Sequence, residues 1–237
     1  MAAMADFSSP LLWAILIGWM LSVVLHEFAH GLVAHWGGDW TIRQRGGLSL
    51  NPLQYVDPMM SLAFPALVLV MGGVPLPGGA TYVRDDLLRS RIWRSAVSAA
   101  GPAMNILLFL LLLLPFHPSI ELIDAPMPGE DFSNAAVFLG AMGVLQIMAA
   151  ILNLVPIPPL DGFGIIRPFL SPQLVERLLP PHVQMMLFWF FFMVLWAVPD
   201  VMTKVMELIF RVLLLLGFDH YTAVSFFSAL GTALFGR

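Results

Sequence analysis

Residues 11–36 read LLWAILIGWMLSVVLHEFAHGLVAHW. A helix crosses the hydrocarbon core of a bilayer with about 20 apolar residues, so this run is long enough to span a membrane. Four ionisable side chains lie inside it, among them His26, Glu27 and His30, and such groups are costly there unless they have partners or a function. The stretch therefore predicts a membrane-spanning helix that carries a buried polar site.

The rest of the chain has the same apolar character. Of its 237 residues, 59% are hydrophobic and 11% are charged, whereas soluble domains carry about 25% charged residues. The apolar segments are 11–36, 59–73, 92–116, 134–155, 185–198 and 201–217. We expect a single membrane-embedded domain over 1–237, with a core at about 11–170 and C-terminal helices at about 185–237. The pattern does not place 218–237.

The charges between the segments predict orientation. Residues 84–94 contain four arginines, whereas 117–133 contain four carboxylates and neither Lys nor Arg. By the positive-inside rule, the first connection is cytoplasmic and the second external. Arg43 and Arg45 place 37–57 on the cytoplasmic side as well. Segment 59–73 then cannot cross once, so we expect it to be short or re-entrant.

A small β-hairpin is predicted after the first segment. Two strand-like pieces, 40–45 and 48–50, flank Gly46-Gly47; an ordinary loop is the alternative. The expected fold is an all-α polytopic membrane protein, a bundle of about five to six helical segments with this hairpin and a short or re-entrant segment after the first helix. An extended substrate could add to the hairpin edge.

The motif His26-Glu27-Phe28-Ala29-His30 carries the chemistry. On a helix, residues four apart share a face, so both imidazoles can take adjacent positions on a tetrahedral zinc ion. The Glu between them is close enough to act on a metal-bound water. The chain has no cysteine, so zinc must be held by His, Asp or Glu.

Two aspartates are candidates for the third ligand, Asp57 in the early loop and Asp161 after the fourth segment. Asp161 is favoured, because the preceding prolines cannot continue a helix and unwind the chain at membrane depth. Those prolines are Pro156, Pro158 and Pro159. An exposed aspartate in a helix-exit loop is the alternative.

Two asparagines are candidates for supporting roles. Asn105 lies on a small-residue stripe suited to helix packing, and contact with substrate backbone is the alternative. Asn153 could stabilise the oxyanion of a tetrahedral intermediate or hold the unwound loop. Gln146, seven residues before Asn153, points the fourth segment toward the same interior.

Three stretches resemble the signature motifs of the site-2 protease family of intramembrane zinc metallopeptidases. They are His26-Glu27-Phe28-Ala29-His30, Gly101-Pro102-Ala103-Met104-Asn105 and the segment from Asn153 to Leu160-Asp161-Gly162. The stretch Gly46-Gly47-Leu48-Ser49-Leu50-Asn51-Pro52 resembles the compact bacterial branch, and no segment is long enough for the PDZ-like domain of many relatives. The resemblance covers about residues 15–170.

The resemblance implies cleavage of transmembrane protein substrates within the bilayer. It implies one zinc ion per chain, bound by His26, His30 and Asp161, with Glu27 as general base and then acid. The compact form looks bacterial, so we expect an integral protein of a bacterial inner membrane, in contact with lipid. The positive-inside rule places its active site toward the cytoplasm. No basic tract indicates nucleic-acid binding, and nothing in the sequence indicates an oligomeric state.

Other classes of function are compatible with the same residues. A membrane metal transporter or sensor could use the His and Asp side chains as a transit site. A non-catalytic relative could bind membrane helices, although such a protein has no use for Glu27. A zinc hydrolase acting on a lipid or small molecule is a further alternative.

Overall fold

The computed structural model of the chain describes residues 7–70, 76, 78–120, 122–123 and 133–235. Among these residues it contains nine α-helices. They are α1 Pro10–Gly37, α2 Phe64–Val70, α3 Arg91–Leu113, α4 Asn134–Asn153, α5 Asp161–Ile166, α6 Pro172–Leu178, α7 Pro181–Ala197, α8 Pro199–Leu215 and α9 His220–Phe235.

Three of these helices, α1, α3 and α4, are long and apolar enough to cross a membrane, α3 together with its continuation to Phe116. Their starting points follow from the sequence. Pro10 occupies the first turn of α1, where its missing N–H leaves nothing unpaired. Ser90 and Ser133 cap α3 and α4 by accepting hydrogen bonds from backbone N–H groups at 3.3 and 3.2 Å. The predicted spans at 11–36, 92–116 and 134–155 are confirmed, and the chain is an integral membrane protein.

Helix α3 packs against both α1 and α4, and α9 covers the other side of α4. Gly140 of α4 allows the ring of Phe226 to approach closely, and both Phe226 and Ala229 are fully buried. The tail that the sequence left unplaced is thus part of the core. Its buried face includes small or polar residues, such as Thr222 and Ser225, which explains its weak hydrophobic signal.

The predicted β-hairpin is wrong, since the described residues contain no β-strand. Residues 40–42 instead form a 3-10 turn, in which the Asp39 carboxylate accepts a hydrogen bond from the Thr41 N–H at 3.1 Å. Such a side chain competes with a strand ladder for backbone groups. The turns that follow pack on α1, where a side chain at Gly31 would overlap the Gly47 carbonyl.

Residues 58–70 form a short apolar helix, of which 58–63 are π-helical and the rest is α2. At 1.5 Å per residue it is about 20 Å long at most, too short for a hydrocarbon core of about 30 Å. The prediction of a short segment is confirmed on these residues; 71–73 lie outside the described part. Whether the helix is re-entrant stays a prediction.

Helices α7 and α8 correspond to the predicted segments 185–198 and 201–217. Each has 17 residues, and their axes are bent by 82° at the break between them. Pro199 begins α8 and keeps Val198 in an extended conformation, so one straight helix cannot form. The sequence did not predict α5 and α6, which follow the proline-rich loop.

Candidate metal centre

Two imidazoles on α1 converge within the bundle. His26 and His30 lie one helical turn apart, and their Nε2 atoms are 3.1 Å from each other. Both residues are buried, with exposed fractions of 8% and 7%. Their rings meet edge to face, with centroids 4.8 Å apart.

Asp161, the first residue of α5, completes this cluster from a distant part of the chain. Its Oδ2 atom lies 3.2 Å from Nε2 of His26. Its Oδ1 atom lies 3.3 Å from Nε2 of His30. The structure therefore brings together the two histidines and the aspartate that the sequence favoured as the third ligand.

The loop before α5 explains how Asp161 arrives there. Helix α4 ends at Asn153, and the prolines at 156, 158 and 159 keep the following residues in turns. Gly162 lies against the carbonyl group of Leu154, and a Cβ at this position would overlap that group. The chain can therefore double back tightly and start α5 beside α1 and α3.

The opposite sides of both imidazoles are held by α3. Nδ1 of His26 donates to the Asn105 side-chain oxygen. Nδ1 of His30 donates to the backbone carbonyl of Val97 at 2.6 Å. Pro102 lies inside α3 and has no N–H for the helical ladder. Because both Nδ1 atoms face acceptors and carry the protons, both Nε2 atoms present lone pairs.

This donor set fits a zinc ion. Two imidazole nitrogens and a carboxylate converge, and such a set needs a positive charge, from a metal ion or an added proton, to be stable in a buried site. Zinc bonds of about 2.0–2.1 Å place tetrahedral ligand atoms about 3.3 Å apart. The Nε2 atoms lie 3.1 Å apart, and the Asp161 oxygens lie 3.2 Å (Oδ2 to His26) and 3.3 Å (Oδ1 to His30) from them, which is close to that spacing.

Gly101 of α3 forms the floor of the centre. A Cβ at this position would overlap Nε2 of both His26 and His30. The missing side chain thus leaves room at the point where the ligand atoms converge. The sequence singled out Gly101 only as part of a motif, since a glycine on a small-residue stripe is also typical of helix packing.

Glu27 lies next to the cluster and is buried, with an exposed fraction of 6%. Its carboxylate and the two imidazoles place ligand-type atoms within 4.8 Å of one another. Gly79 passes beside its side chain, and the Thr81 hydroxyl donates to its backbone carbonyl at 3.1 Å. The burial of Tyr55, and after it the charge of Glu27, raise the pKa of Tyr55 to about 12.

A cavity of about 400 Å³ opens onto these side chains. Asn153 and Asp161 lie on one wall, and residues 79–81 on another. Asp85 and Arg167, both exposed, line it as well, so the cavity joins the metal centre to the charged end of the bundle.

The segment 78–84 forms this second wall in a distinctive way. The even-numbered residues bond the body of the protein through their backbones: Gly78 to Met60, Ala80 to Tyr55, Tyr82 to Arg45 and Arg84 to Asp39. This alternation of period two is that of an extended chain. Within the described part of the chain, the odd-numbered residues make no backbone hydrogen bond, and all three line the cavity: Gly79, Thr81 and Val83.

The remaining candidates fall in different places. Asp57 lies apart from the histidines and caps the short helix, accepting from the N–H groups of Met59 and Met60 at 2.9 Å. Asn153 lines the cavity, whereas Asn105 lies behind His26. The contact with His26 was not predicted, because sequence spacing does not show which helix faces which.

The fold and site define a class: a polytopic membrane protein with a His-Glu-x-x-His metal centre completed by a distant aspartate. No family model matches the chain, and no solved structure matches it significantly. Curated relatives do. "Putative zinc metalloprotease Rip2" of Mycolicibacterium smegmatis is 40% identical over 172 residues, which is 72% of this chain and 62% of that protein.

The protein of the same name from Mycobacterium tuberculosis H37Rv is 35% identical over 211 residues, covering 89% of this chain and 77% of the relative. "Putative zinc metalloprotease YwhC" of Bacillus subtilis is 31% identical over 172 residues, covering 70% and 68%. The chain belongs to the site-2 protease family of zinc metalloproteases. It spans about three fifths of the length of the M. smegmatis relative.

Proposed function

We propose that the chain is a zinc-dependent intramembrane endopeptidase that hydrolyses transmembrane protein substrates. One observation carries this proposal: the carboxylate of Asp161 meets the two imidazoles of a membrane-spanning helix beside a buried glutamate, with each Asp161 oxygen 3.2–3.3 Å from one Nε2 atom. One zinc ion per chain would be held by His26, His30 and Asp161. The names of the relatives, all zinc metalloproteases, support the metal and the class of reaction.

The residues around the metal have different roles in the proposed reaction. Zinc held by His26, His30 and Asp161 would supply Lewis-acid chemistry, which would make water more acidic and polarise the scissile carbonyl. Glu27 accepts the proton of the attacking water and passes it to the leaving amine. The amide of Asn153 is directed at the substrate and stabilises the oxyanion. Two observations support this assignment. Asn153 lines the cavity, and among the described residues it makes no hydrogen bond to the unwound loop.

The substrate backbone binds along segment 78–84. Gly79, Thr81 and Val83 line the cavity, and their backbone groups have no hydrogen-bond partner within the part of the chain that the structure describes. A substrate unwound into an extended chain can pair with these groups, as in other cases of strand addition. Cleavage requires such unwinding, because a helix keeps its carbonyl groups in internal hydrogen bonds. This segment takes the place of the hairpin edge that the sequence suggested.

The active site opens to the cytoplasm of a bacterial cell. The cavity leads to the end of the bundle that carries Arg94 and Arg167, and arginines mark the cytoplasmic side of membrane proteins. The relatives come from bacteria, which supports a location in the inner membrane. Water for hydrolysis enters by the same route.

Replacement of Glu27 by Gln tests this function. The amide keeps the shape of the side chain but cannot accept the proton, so cleavage should fall by at least about 100-fold while zinc is retained. Membranes containing either form are compared by quantitative mass spectrometry for fragments of membrane proteins. Glu207→Gln, at an exposed position on α8, is the control and should cleave normally. Equal fragment yields from zinc-loaded wild type and Glu27→Gln would refute the proposed role.

A further inference from the structure

Two buried amides form a chain behind His26. Asn105 of α3 has an exposed fraction of 3%, and Gln146 of α4 is fully buried. The Asn105 side-chain oxygen accepts from Nδ1 of His26. The Nδ2 group of Asn105 donates to Oε1 of Gln146 at 2.7 Å. Three helices are thereby joined by one line of hydrogen bonds that ends at a proposed zinc ligand.

The direction of this line matters. Nε2 of His26 can bind a metal only if the ring proton resides on Nδ1, and this requires an acceptor there. An amide turned by 180° would present its NH2 group to Nδ1 and would favour the opposite tautomer. While the Gln146 oxygen faces Asn105 it opposes that turn, because a turned Asn105 amide would place its own oxygen against the Gln146 oxygen.

Packing alone does not account for Gln146. Its own Nε2 group has no hydrogen-bond partner among the described residues. A buried polar group without a partner destabilises the folded protein. Methionine, which has nearly the same shape, would remove that unpaired amide group but would leave the Asn105 NH2 group without its acceptor. The residue is therefore better explained by what its oxygen holds.

We propose that Gln146 is a positioning residue that acts through Asn105 to keep His26 in the tautomer that binds zinc. The proposal rests on the proposed role of His26 as a zinc ligand. It requires no contact between Gln146 and either metal or substrate. It assigns a function to a residue outside the three sequence motifs.

Two substitutions at this position separate the oxygen from the rest of the side chain. Gln146→Met removes the acceptor and should weaken zinc binding by about 10–100-fold, the usual effect of losing a group that orients a ligand. Gln146→Glu keeps an acceptor oxygen, ionised or protonated, and should bind within about threefold of wild type. Zinc dissociation constants are measured on the purified full chain in detergent, by competition with a chromophoric chelator.

A double-substitution cycle tests whether the effect passes through Asn105. After Asn105→Ala, the further change Gln146→Met should weaken zinc binding by less than about twofold, because the connection is already broken. The melting temperature of the metal-free Gln146→Met protein should lie close to that of wild type, because one buried unpaired amide group replaces another.

Three results would overturn the proposal: wild-type zinc affinity in Gln146→Met, an equal loss in Gln146→Glu, or an undiminished effect of Gln146→Met after Asn105→Ala. Failure of the proposed function is distinguishable, since wild type itself would then bind no zinc at this centre.

Discussion

The metal centre requires a residue without a Cβ atom at Gly101. The position faces Nε2 of both His26 and His30, and any Cβ there would occupy the space where their lone pairs converge. A glycine in the middle of a helix costs roughly 1 kcal/mol relative to alanine. The glycine therefore makes α3 less stable, but it lets α3 approach the metal centre closely.

Gly101→Ala should therefore weaken zinc binding by at least about 100-fold, as the methyl group displaces the ligands from their geometry. The same change at Gly231, where a Cβ would meet nothing within 4 Å, should leave zinc binding unaltered. Chelator competition on both variants measures the effect. Tight zinc binding by Gly101→Ala would show that the metal lies elsewhere.

Much of the site could be foreseen at this scale, and the reason is chemical. His26, Glu27 and His30 share a face by helical periodicity alone, and a carboxylate after three prolines needs a partner within a membrane. The geometry brings them together, while their roles remain proposals. The Val97 carbonyl and the place of Gln146 could not be foreseen, since both depend on the rotation of one helix against another.

Among the secondary-structure elements, the connection after α1 depends on a single carboxylate. Asp39 is fully buried and accepts hydrogen bonds from Thr41, Arg45 and the Arg84 N–H. It thereby ties the end of α1 to segment 78–84, the proposed substrate edge. The hairpin prediction failed here because alternating sequence does not show that a side chain will cap the backbone.

Asp39→Ala should leave these donors without an acceptor and lower the free energy of unfolding by about 2–3 kcal/mol. For this chain length, that corresponds to a fall in melting temperature on the order of 5–10 °C. The exposed pair of Arg84 with Asp86 provides the control, since both side chains are more than half exposed. Asp86→Asn should leave the melting temperature essentially unchanged, because an exposed ion pair contributes little to stability. Similar melting temperatures for wild type and Asp39→Ala would contradict this role.

The contribution of Asp39 should also depend on pH. Burial by itself raises the pKa of this carboxyl, but hydrogen bonds from Thr41 and Arg84 and the charge of Arg45 outweigh it, so the pKa lies below its usual value. A lowered pKa means stability that is present above about pH 4 and lost as the pH falls through the folded-state value. The difference in melting temperature between wild type and Asp39→Ala should accordingly shrink below about pH 4.

For the whole molecule, three crossing helices enclose a polar cavity that opens at one charged end. Helix α3 runs opposite to α1 and α4, so the turns after α1 and before α3 meet at that end: Arg89 N–H donates to the Gly37 carbonyl at 2.9 Å. The spans themselves were predictable from hydropathy. The burial of α9 against α4 was not, because it depends on contacts between segments far apart in sequence.

Single cysteines in this cysteine-free chain should report its orientation. Asp86→Cys should react with a membrane-impermeant maleimide only in inside-out vesicles, and Ser119→Cys only in intact spheroplasts, because arginine-rich connections stay in the cytoplasm. Labelling of both positions from one side would contradict the proposed crossing of α3. Labelling from the reversed sides would place the active site outside the cell.

The most direct test of the metal centre compares two aspartates that the sequence alone could not fully separate. Zinc content per chain is measured by mass spectrometry for purified wild type, Asp161→Asn and Asp57→Asn. We predict one zinc ion per chain for wild type and Asp57→Asn. Asp161→Asn should contain clearly less than one, because its zinc affinity should fall by at least about 10-fold. Full zinc binding by Asp161→Asn, with loss in Asp57→Asn, would contradict a site built from α1 and α5.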